Sequence, residues 1–345
     1  MQSRNFDHDT LPARRKPSAR SRRNPARIAH FAVIVHSSTE PRRPIGISPV
    51  LVAGLVPRTS ALPSLTYTFP VLSEIWRYPV KSCGGEIVSE AEVQEGGLTG
   101  DRAWAVVDSQ TGLVASAKRP RRWGPLLTTS ASLTGSDLTV NLTSGQTGSS
   151  SDLQALDAMI SSLVGRSVTV RSAVTIEEPA LERTDPDVDH LLEHGDLELG
   201  DIAAGPLSAA SPRGTVFDFA PIHVISTATL DALEEADTSA GDARRFRPNL
   251  VVDIDGPAFQ ENEWRGRQLN VGSDVVLDVI LESPRCVVPS LAQDGLAQSS
   301  STLRTVALLN RIEIEGHGVF PCVGAYAKVG QSGTITTGAR ATVST

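Results

Sequence analysis

The chain has 345 residues, 40% of them apolar, and a formal net charge of −7. This length and composition are typical of a soluble globular protein of two domains, and no apolar run reaches the roughly 18 to 20 residues of a membrane-spanning helix. Residues 1–60 hold eleven Arg and Lys against three acidic residues, so the rest of the chain is strongly acidic. Since nucleic-acid binding needs a basic face, we expect no nucleic-acid partner. Since no apolar run is long enough, we also expect no membrane span.

The first 65 residues are rich in Arg, Ser and Pro and show no sustained periodicity. Such a segment buries too little apolar surface to offset its chain entropy, so residues 1–65 are predicted as a disordered tail. A start codon assigned too early would produce the same composition. An Arg-rich, acid-poor targeting peptide is a third interpretation, and all three stay open.

Residues 66–200 are predicted as a mostly β first domain. Alternation predicts a strand in TYTFPVLSEIWRYPVKS that ends at Pro79, a strand in GGLTGDRAWAVVD and a hairpin in LTTSASLTGSDLTVNLTSG. Helical spacing predicts a helix in SDLQALDAMISSLVGR, with Ser or Asp as its N-terminal cap and Gly165 behind it, followed by a strand in VTVRSA. The acidic, proline-broken segment that runs to about Gly200 is predicted as a loop.

Residues 201–345 are predicted as a second β-rich domain. APIHVIS predicts a buried strand, Thr227 a helix cap, and RRFRPNLVVDIDG a charged turn that enters a strand. LNVGSDVVLDVILESPRC predicts one long strand, LRTVALLNRI a helix, and YAKVGQSGTITTGARATV a closing hairpin. Many short strands with few helices predict a β-rich α+β fold with barrel-like domains.

The three cysteines are Cys83, Cys286 and Cys322, too few and too far apart for a disulfide framework, a CxxC zinc site or a four-cysteine iron–sulfur cluster. This usage predicts a reducing compartment, and we expect a cytoplasmic protein. Cys286 follows Arg285 at a predicted strand end, where a nearby cation favours thiolate, a soft ligand for a transition metal or a carrier of persulfide. The alternative is a small buried hydrophobe.

Three short motifs bring cations into turns. RRFRPN contains Arg247 and Asn249, KSCGG contains Lys81 and Ser82, and TGDR contains Arg102. Guanidinium, ammonium, hydroxyl and amide groups in this pattern are typical of a socket for a phosphate or carboxylate. Solvated surface turns are the alternative, and the motifs act together only if the two halves of the chain face each other across a cleft.

The histidines indicate no catalytic or metal site. His223 lies within an apolar strand and is interpreted as a hydrogen-bonded core residue. His190 and His194 lie four positions apart without a third ligand, so no zinc site is predicted. GxGxxG and GxxxxGK[ST] motifs do not occur, which removes the main support for dinucleotide or nucleoside-triphosphate binding.

Taken together and in this order, YPVKSC, GLTGDRAW, FRPN and SPRC resemble the MOSC family with its N-terminal β-barrel companion domain, from about Val71 to the C-terminus. The branch of amidoxime-reducing components and the C-terminal region of molybdenum cofactor sulfurase are the most similar. The resemblance implies an N-terminal MOSC-type β-barrel domain followed by a MOSC-type β-barrel domain with a few short helices. It also implies molybdenum bound by molybdopterin.

The resemblance assigns a role to each candidate residue. Cys286 would be the catalytic residue that ligates molybdenum, and Cys83 would only pack. The implied cofactor contacts are Lys81, Ser82, Arg102, Arg247, Asn249 and Tyr326. The implied activity is reduction of N-hydroxylated or related N–O or S–O small molecules, with electrons from a separate protein because the chain has no cofactor motif of its own to supply them.

This chain departs from the reductase pattern at several positions. Pro284 stands where the reductases have a serine two residues before the ligating cysteine, Pro289 and Ser290 replace a Thr-Thr pair, and Phe219 and Ala220 replace polar residues. A sulfur carrier with a persulfide on Cys286 and a cofactor-binding protein without turnover are therefore kept as alternatives. Sulfurase members of the family also carry a pyridoxal-phosphate domain, but the residues here do not support pyridoxal phosphate.

Overall fold

The computed structural model describes residues 69–208 and 211–344, and the predicted tail over residues 1–65 lies outside this part of the chain. The first strands are β1 (Val71–Arg77), β2 (Glu86–Val88), β3 (Glu90–Gln94), β4 (Gly97–Leu98), β5 (Trp104–Asp108), β6 (Ser130–Thr134), β7 (Asp137–Asn141), β8 (Thr147–Ser149), β9 (Val168–Ser172) and β10 (Ala180–Arg183). The later strands are β11 (Ala203–Pro206), β12 (Ile222–Ser226), β13 (Leu250–Asp253), β14 (Gln268–Val271), β15 (Val275–Pro284), β16 (Arg311–Ile314), β17 (Gly318–Gln331), β18 (Gly333–Thr336) and β19 (Ala341–Val343).

Short helices lie between these strands. The α-helices are α1 (Pro120–Trp123), α2 (Leu153–Val164), α3 (Val188–His194), α4 (Thr227–Ala236) and α5 (Ser300–Leu309). The predicted helix is confirmed in α2, where the Asp152 carboxylate accepts a hydrogen bond from Ala155 N at 3.0 Å and Gly165 ends the helix with φ of 66°. Many strands and few helices confirm the β-rich fold class.

The largest sheet has the order β19-β14-β15-β17-β12-β13-β1-β2, with β16 paired to β17. Its neighbours are antiparallel except for β12 and β13, which run parallel because α4 provides the crossover between them. Alternate residues of these strands point inward and form an apolar core that includes Leu72, Ile222, Leu250 and Leu277. The sheet therefore places the turns after β1 and before β13 at the same end.

The two ends of the long sheet meet at a backbone seam. Leu72 N donates to Ala339 O at 2.8 Å, Gly338 N donates to Leu72 O at 2.8 Å, and Ala341 N donates to Pro70 O at 2.9 Å. The seam joins the start of β1 to the turn that enters β19, so the backbone groups at the start of β1 that lie beyond the reach of β2 find partners. The beginning and the end of the described chain are thus held in one curved sheet.

A second apolar core lies under the hairpin β6–β7 and the pair β5–β9. Helix α2 contributes Leu156, Met159 and Ile160 to this core, and the hairpin contributes Leu138 and Val140. The strand predicted around RAWAVVD, the polar hairpin and the strand in VTVRSA are confirmed as β5, β6–β7 and β9. This core supports the turns that lead into and out of β5.

Two predictions in the middle of the chain are wrong. The predicted loop up to about Gly200 contains β10 and α3, because Asp187 caps α3 by accepting from His190 N at 2.9 Å and β10 pairs with β11. Thr227 is the first residue of α4, and Ser226 is its cap, accepting from Thr229 N at 3.3 Å. Short polar side chains in adjacent positions compete for the cap, so composition alone does not separate them.

Two predictions near the C-terminus are also wrong. LNVGSDVVLDVILESP is a hairpin of β14 and β15 that turns at Gly272, whose φ is 67°, rather than one long strand. The predicted closing hairpin does not form, because β18 pairs with β3 and β19 pairs with β14. Both pairings join residues far apart in sequence, which alternation cannot reveal. The predicted division near residue 200 stays a prediction, with β1 and β3 pairing across it.

Candidate functional site

One cavity collects every residue that the sequence predicts for the site. Turns from both halves of the described chain provide them: those after β1, before β5 and before β13, the segment after β15, and the middle of β17. The seven residues are Lys81, Ser82, Arg102, Arg247, Asn249, Cys286 and Tyr326. The two halves therefore face each other across this cavity, which is the condition under which the motifs act together.

The cavity wall is strongly cationic, although the whole chain has a net charge of −7. Its charged members are Lys81, Arg102, Lys118, Arg247, Arg285 and a single acid, Asp218. His223 also lies in the wall, but burial and the neighbouring Arg285 lower its pKa to about 3, so it is neutral at pH 7. A cluster of fixed cations in a recess favours a small multivalent anion.

Asp218 links the two lysines of the wall. Lys81 Nζ donates to Asp218 Oδ1 at 2.6 Å and to Val216 O at 2.7 Å, and Lys118 Nζ lies 3.4 Å from Asp218 Oδ2. Burial lowers the pKa of Lys81 in spite of this partner. Burial also opposes the charge on Lys118, but Asp218 and Cys286 outweigh it and raise the pKa of Lys118. Lys118 is thus a permanent cation at neutral pH.

Three cavity residues hold a left-handed backbone that side chains disfavour. The φ angles are 67° for Ser82, 47° for Arg102 and 56° for Arg247. Ser82 Oγ accepts a hydrogen bond from Ala117 N at 3.0 Å, which ties its turn to the segment before Lys118. Non-glycine residues persist in this conformation where the surrounding structure fixes them, and such positions cluster at functional sites.

Two arginines lie against the ring of Tyr78. The guanidinium carbon of Arg247 is 4.3 Å from the ring centroid, and that of Arg102 is 4.8 Å away. Arg102 is also paired with Asp101, and Arg247 Nη1 donates to Cys83 O at 2.6 Å. Each guanidinium therefore has a fixed position with some of its five donors left for a ligand.

The side-chain amide of Asn249 forms hydrogen bonds with other groups of the protein. Its Nδ2 donates to Asp101 Oδ2 at 3.0 Å and to Trp76 O at 3.3 Å. Its Oδ1 accepts from His223 N at 3.1 Å and from Arg102 Nη1 at 3.5 Å. Asn249 is 1% exposed, so its clearest effect is to position Asp101 and Arg102.

Cys286 is the half-buried thiol of the cavity, two residues beyond the end of β15. Its sequence neighbour Arg285 points its donors elsewhere, with Nη1 to Ser283 Oγ at 2.7 Å and Nη2 to Phe246 O at 3.0 Å. Cys286 is among the groups that raise the pKa of Lys118, which lines the same cavity. That Arg285 supports a thiolate at Cys286 stays a prediction, and the hydrogen bonds of its two terminal nitrogens go to Ser283, Phe246 and the neighbourhood of His223.

Aromatic rings form the other wall. The Tyr326 ring lies 5.3 Å from Phe219 and 5.4 Å from His223, measured between ring centroids. His223 is buried and lies with Nε2 3.0 Å from Val323 O, which confirms it as a hydrogen-bonded core residue. One face of the cavity is thus cationic, and the face nearest Tyr326 is aromatic.

Sequence reasoning missed several members of the wall. Lys118 and Asp218 contribute charge, and Phe217 and Phe246 contribute apolar surface. Lysine is rare here, with Lys16, Lys81, Lys118 and Lys328 as its four occurrences, so rarity could have marked Lys118. Nothing local distinguishes Asp218 from the chain's other acids.

One other prediction is confirmed outside the cavity. Cys83 packs among Val80, Leu126 and Ala131, and burial raises the pKa of its thiol to about 11, so it is not a thiolate at neutral pH. His190 pairs with Asp196 at 3.0 Å. Among residues 69–208 and 211–344, no cluster of three or more His, Cys, Asp or Glu has the geometry to hold a metal ion.

Comparison with known protein families gives two matches that cover most of the described chain. The MOSC N-terminal beta barrel domain matches residues 69–173, and the MOSC domain matches residues 208–342. The chain belongs to the MOSC family. This family is associated with binding of the molybdenum cofactor. The recognition made from the four motifs is confirmed, and the fold consists of two MOSC domains.

Mitochondrial amidoxime-reducing components are identical to this MOSC protein at about a quarter of the aligned positions. Mitochondrial amidoxime-reducing component 1 of Mus musculus is 26% identical over 291 residues, covering 77% of this chain and 80% of the relative. Mitochondrial amidoxime reducing component 2 of Homo sapiens is 25% identical, with 77% and 81% covered. The YUAD protein from Bacillus subtilis overlays with a TM-score of 0.36 at 10% identity, covering 80% of this chain and 96% of that one.

The helices of the described residues are all too short or too polar to cross a bilayer. Location is a separate matter, and the expected cytoplasmic location stays a prediction, since the relatives named above are mitochondrial.

Proposed function

We propose that this MOSC protein is a molybdenum-cofactor oxidoreductase that reduces N-hydroxylated or related N–O or S–O compounds. The observation that carries the proposal is the convergence of one accessible thiol, Cys286, with five cations on a single cavity. The names of the relatives support the reaction class. The substrate loses an oxygen atom as water, and two electrons and two protons are consumed, with the electrons coming from a separate donor protein.

The residues present fit molybdopterin and its metal. A pterin phosphate is a dianion, and Lys81, Arg102 and Arg247 offer charged donors on fixed supports. Ser82 adds a hydroxyl, and Arg285 keeps its buried Nε without a hydrogen-bond partner among the described residues. Molybdenum held by the pterin's sulfurs needs few protein ligands, and the thiolate of Cys286 is the soft ligand that suits it. The cofactor supplies two-electron redox chemistry when it is bound.

The protein's own groups prepare the site for these charges. Lys118 stays protonated because Asp218 and Cys286 raise its pKa, so a permanent ammonium group lies in the same cavity as the thiol of Cys286. Asp101 and Asn249 position Arg102 through polar contacts, and Asn249 also donates to Asp101. The ring of Tyr78 makes cation–π contacts with Arg102 and Arg247. We assign Tyr326 to the aromatic wall of the cavity, where its ring and that of Phe219 would keep water away from a bound substrate.

Elemental and pterin analysis of the purified protein tests the proposal. Protein from a cofactor-competent host should contain molybdenum and pterin, and Cys286→Ala should lose most of the molybdenum while remaining folded. Cys83→Ala is the matched control, because its buried thiol lies outside the cavity. Well-folded wild-type protein without molybdenum or pterin would refute the proposal, as would cofactor loss in Cys83→Ala with retention in Cys286→Ala.

The alternative activity is sulfur transfer from a persulfide on Cys286. The half-exposed thiol beside a permanent cation at Lys118 favours it, because such a thiol is accessible to a sulfur donor. Cyanide-labile sulfur on Cys286 without bound molybdenum would establish this function. Bound molybdenum without reduction of benzamidoxime by a chemical electron donor would instead indicate a cofactor-binding protein without turnover.

A further inference from the structure

A second chamber of about 350 Å³ opens beside the candidate cavity. The two share five residues, which are Lys118, Asp218, Phe219, Pro284 and Tyr326. Cys286 lines only the first cavity, and Arg183 lines only the second. We call the second one the aromatic chamber. It provides room for a molecule whose reacting end lies near Cys286 and whose other end lies near Arg183.

The walls of the aromatic chamber are largely apolar. Phe219 is tilted by 34° against Tyr326 and packs with Phe320 around Leu281 and Ile314. Rings in this arrangement favour a planar apolar guest, which they contact by stacking or edge to face. The body of a bound molecule in this chamber is therefore expected to be aromatic.

The rim of the aromatic chamber carries an uncompensated cation. Arg183 ends β10, its residue is exposed, and it forms no ion pair among the described residues. Its neighbour Glu182 is occupied by Arg119 at 3.1 Å and Arg122 at 2.7 Å. The one carboxylate of the chamber, Asp218, is held by the two lysines. The guanidinium group of Arg183 can therefore bind the carboxylate of a ligand.

We propose that the aromatic chamber binds the organic body of the substrate, and that Arg183 selects aromatic substrates carrying an anionic group opposite the N–O bond. This inference rests on the proposed function for the identity of the reacting group. The chamber itself is a binding site whose selectivity is measured without turnover. Arg183 is a specificity residue, since it lies away from the cavity that contains Cys286.

Kinetics on three amidoximes test the selection by charge. Benzamidoxime, para-carboxybenzamidoxime and para-aminomethylbenzamidoxime differ in charge at the end away from the N–O bond. Wild-type protein should show its lowest KM for the carboxylate and its highest for the amine. Arg183→Gln should raise KM for the carboxylate roughly three- to fivefold, as an exposed ion pair allows, with kcat and the KM of benzamidoxime unchanged. Arg183→Lys should retain much of the preference.

Binding without turnover separates failure of this inference from failure of the proposed function. Calorimetry should show that wild-type protein binds para-carboxybenzamidine more tightly than benzamidine, and that Arg183→Gln loses the difference. Arg267→Gln, which replaces an arginine outside both cavities, should behave as wild type. Equal binding of the two amidines, or no binding of either, would overturn the inference. Selective binding without any reduction would uphold the chamber and refute the proposed reaction.

Discussion

Lys81 and Asp218 form a short ion pair, 2.6 Å between Nζ and Oδ1, although they lie 137 positions apart in the chain. Lys81 is 4% exposed, whereas the Asp218 side chain keeps 35% of its surface exposed. Lys81, the more buried residue, therefore depends on the carboxylate of Asp218 to keep its positive charge. An anionic ligand that enters the cavity meets a lysine that already has a carboxylate beside it.

Asp218→Asn should destabilise the protein by about 1–2 kcal/mol at pH 7, because it leaves the buried Lys81 without its charged partner. A fully buried pair would cost more, but Asp218 is partly solvated. Burial favours the neutral acid, yet Lys118 and Lys81 hold the pKa of Asp218 below its usual range. The stabilisation is therefore complete above about pH 4, the ordinary pKa of an aspartate in the unfolded chain, and the difference between variant and wild type should shrink as pH falls below that value. Urea unfolding at several pH values measures this, with the exposed Asp231→Asn as control.

His223 should make the protein less stable as pH falls from about 6.5 towards about 3. The folded state keeps this histidine neutral because burial and Arg285 lower its pKa to about 3, whereas the unfolded chain binds a proton below about 6.5. The unfolded state binds more protons in this window, so stability drops by up to about 1.4 kcal/mol per pH unit. His223→Asn should flatten the dependence between pH 6.5 and 4.5, and the exposed His317→Asn should not. An unchanged slope in His223→Asn would contradict the assignment.

Gly324→Ala should lower the free energy of unfolding by about 3 kcal/mol and displace the side chain of His223. The added methyl group would lie 2.7 Å from His223 Nε2 and would also collide with the Val224 carbonyl, at a φ of 74°. Gly316→Ala is a matched control, because its φ is 77° and nothing lies within 4 Å of the added methyl group. Thermal or urea unfolding should place Gly316→Ala within about 1 kcal/mol of wild type. Equal losses in the two variants would show that the contact with His223 contributes nothing.

Ser82→Gly should be more stable than Ser82→Ala by about 1 kcal/mol. Both variants remove the hydroxyl that accepts from Ala117 N at 3.0 Å, so they share that loss. They differ in that glycine adopts the observed φ of 67° without strain, whereas alanine does not. Unfolding in urea compares the pair directly. A Ser82→Ala variant as stable as Ser82→Gly would mean that the left-handed turn carries no strain.

The local parts of the fold follow from the sequence. Asp152, the apolar stripe through Leu156 and Ile160, and Gly165 define α2 within one segment, so its caps and its buried face are predictable together. The same holds for the hairpin β6–β7. The pairing of β18 with β3 is not predictable in this way, because alternation specifies which residues face inward but not which distant strand lies beside them.

The candidate site likewise contains residues that the sequence predicts and residues that it does not. Lys81, Arg102 and Arg247 stand in short motifs whose residue types alone point to an anion, and the fold brings them to one cavity. Asp218 and Lys118 matter only because the loop before β12 folds over Lys81. Contacts between segments a hundred or more positions apart leave no local pattern, so Asp218 emerges only from the three-dimensional arrangement, and the rarity of lysine is the one sequence signal for Lys118.

The seam between β1 and the turn before β19 has a consequence for biosynthesis. A ribosome completes β1 and the Lys81 turn early, but their neighbours in β13 and in residues 338–341 emerge after most of the chain has been made. Long-range pairing of this kind cannot form before both partners exist. The cation cluster therefore cannot be complete before β13 and Arg285 have been synthesised, and a ligand that needs all five cations binds only after that point.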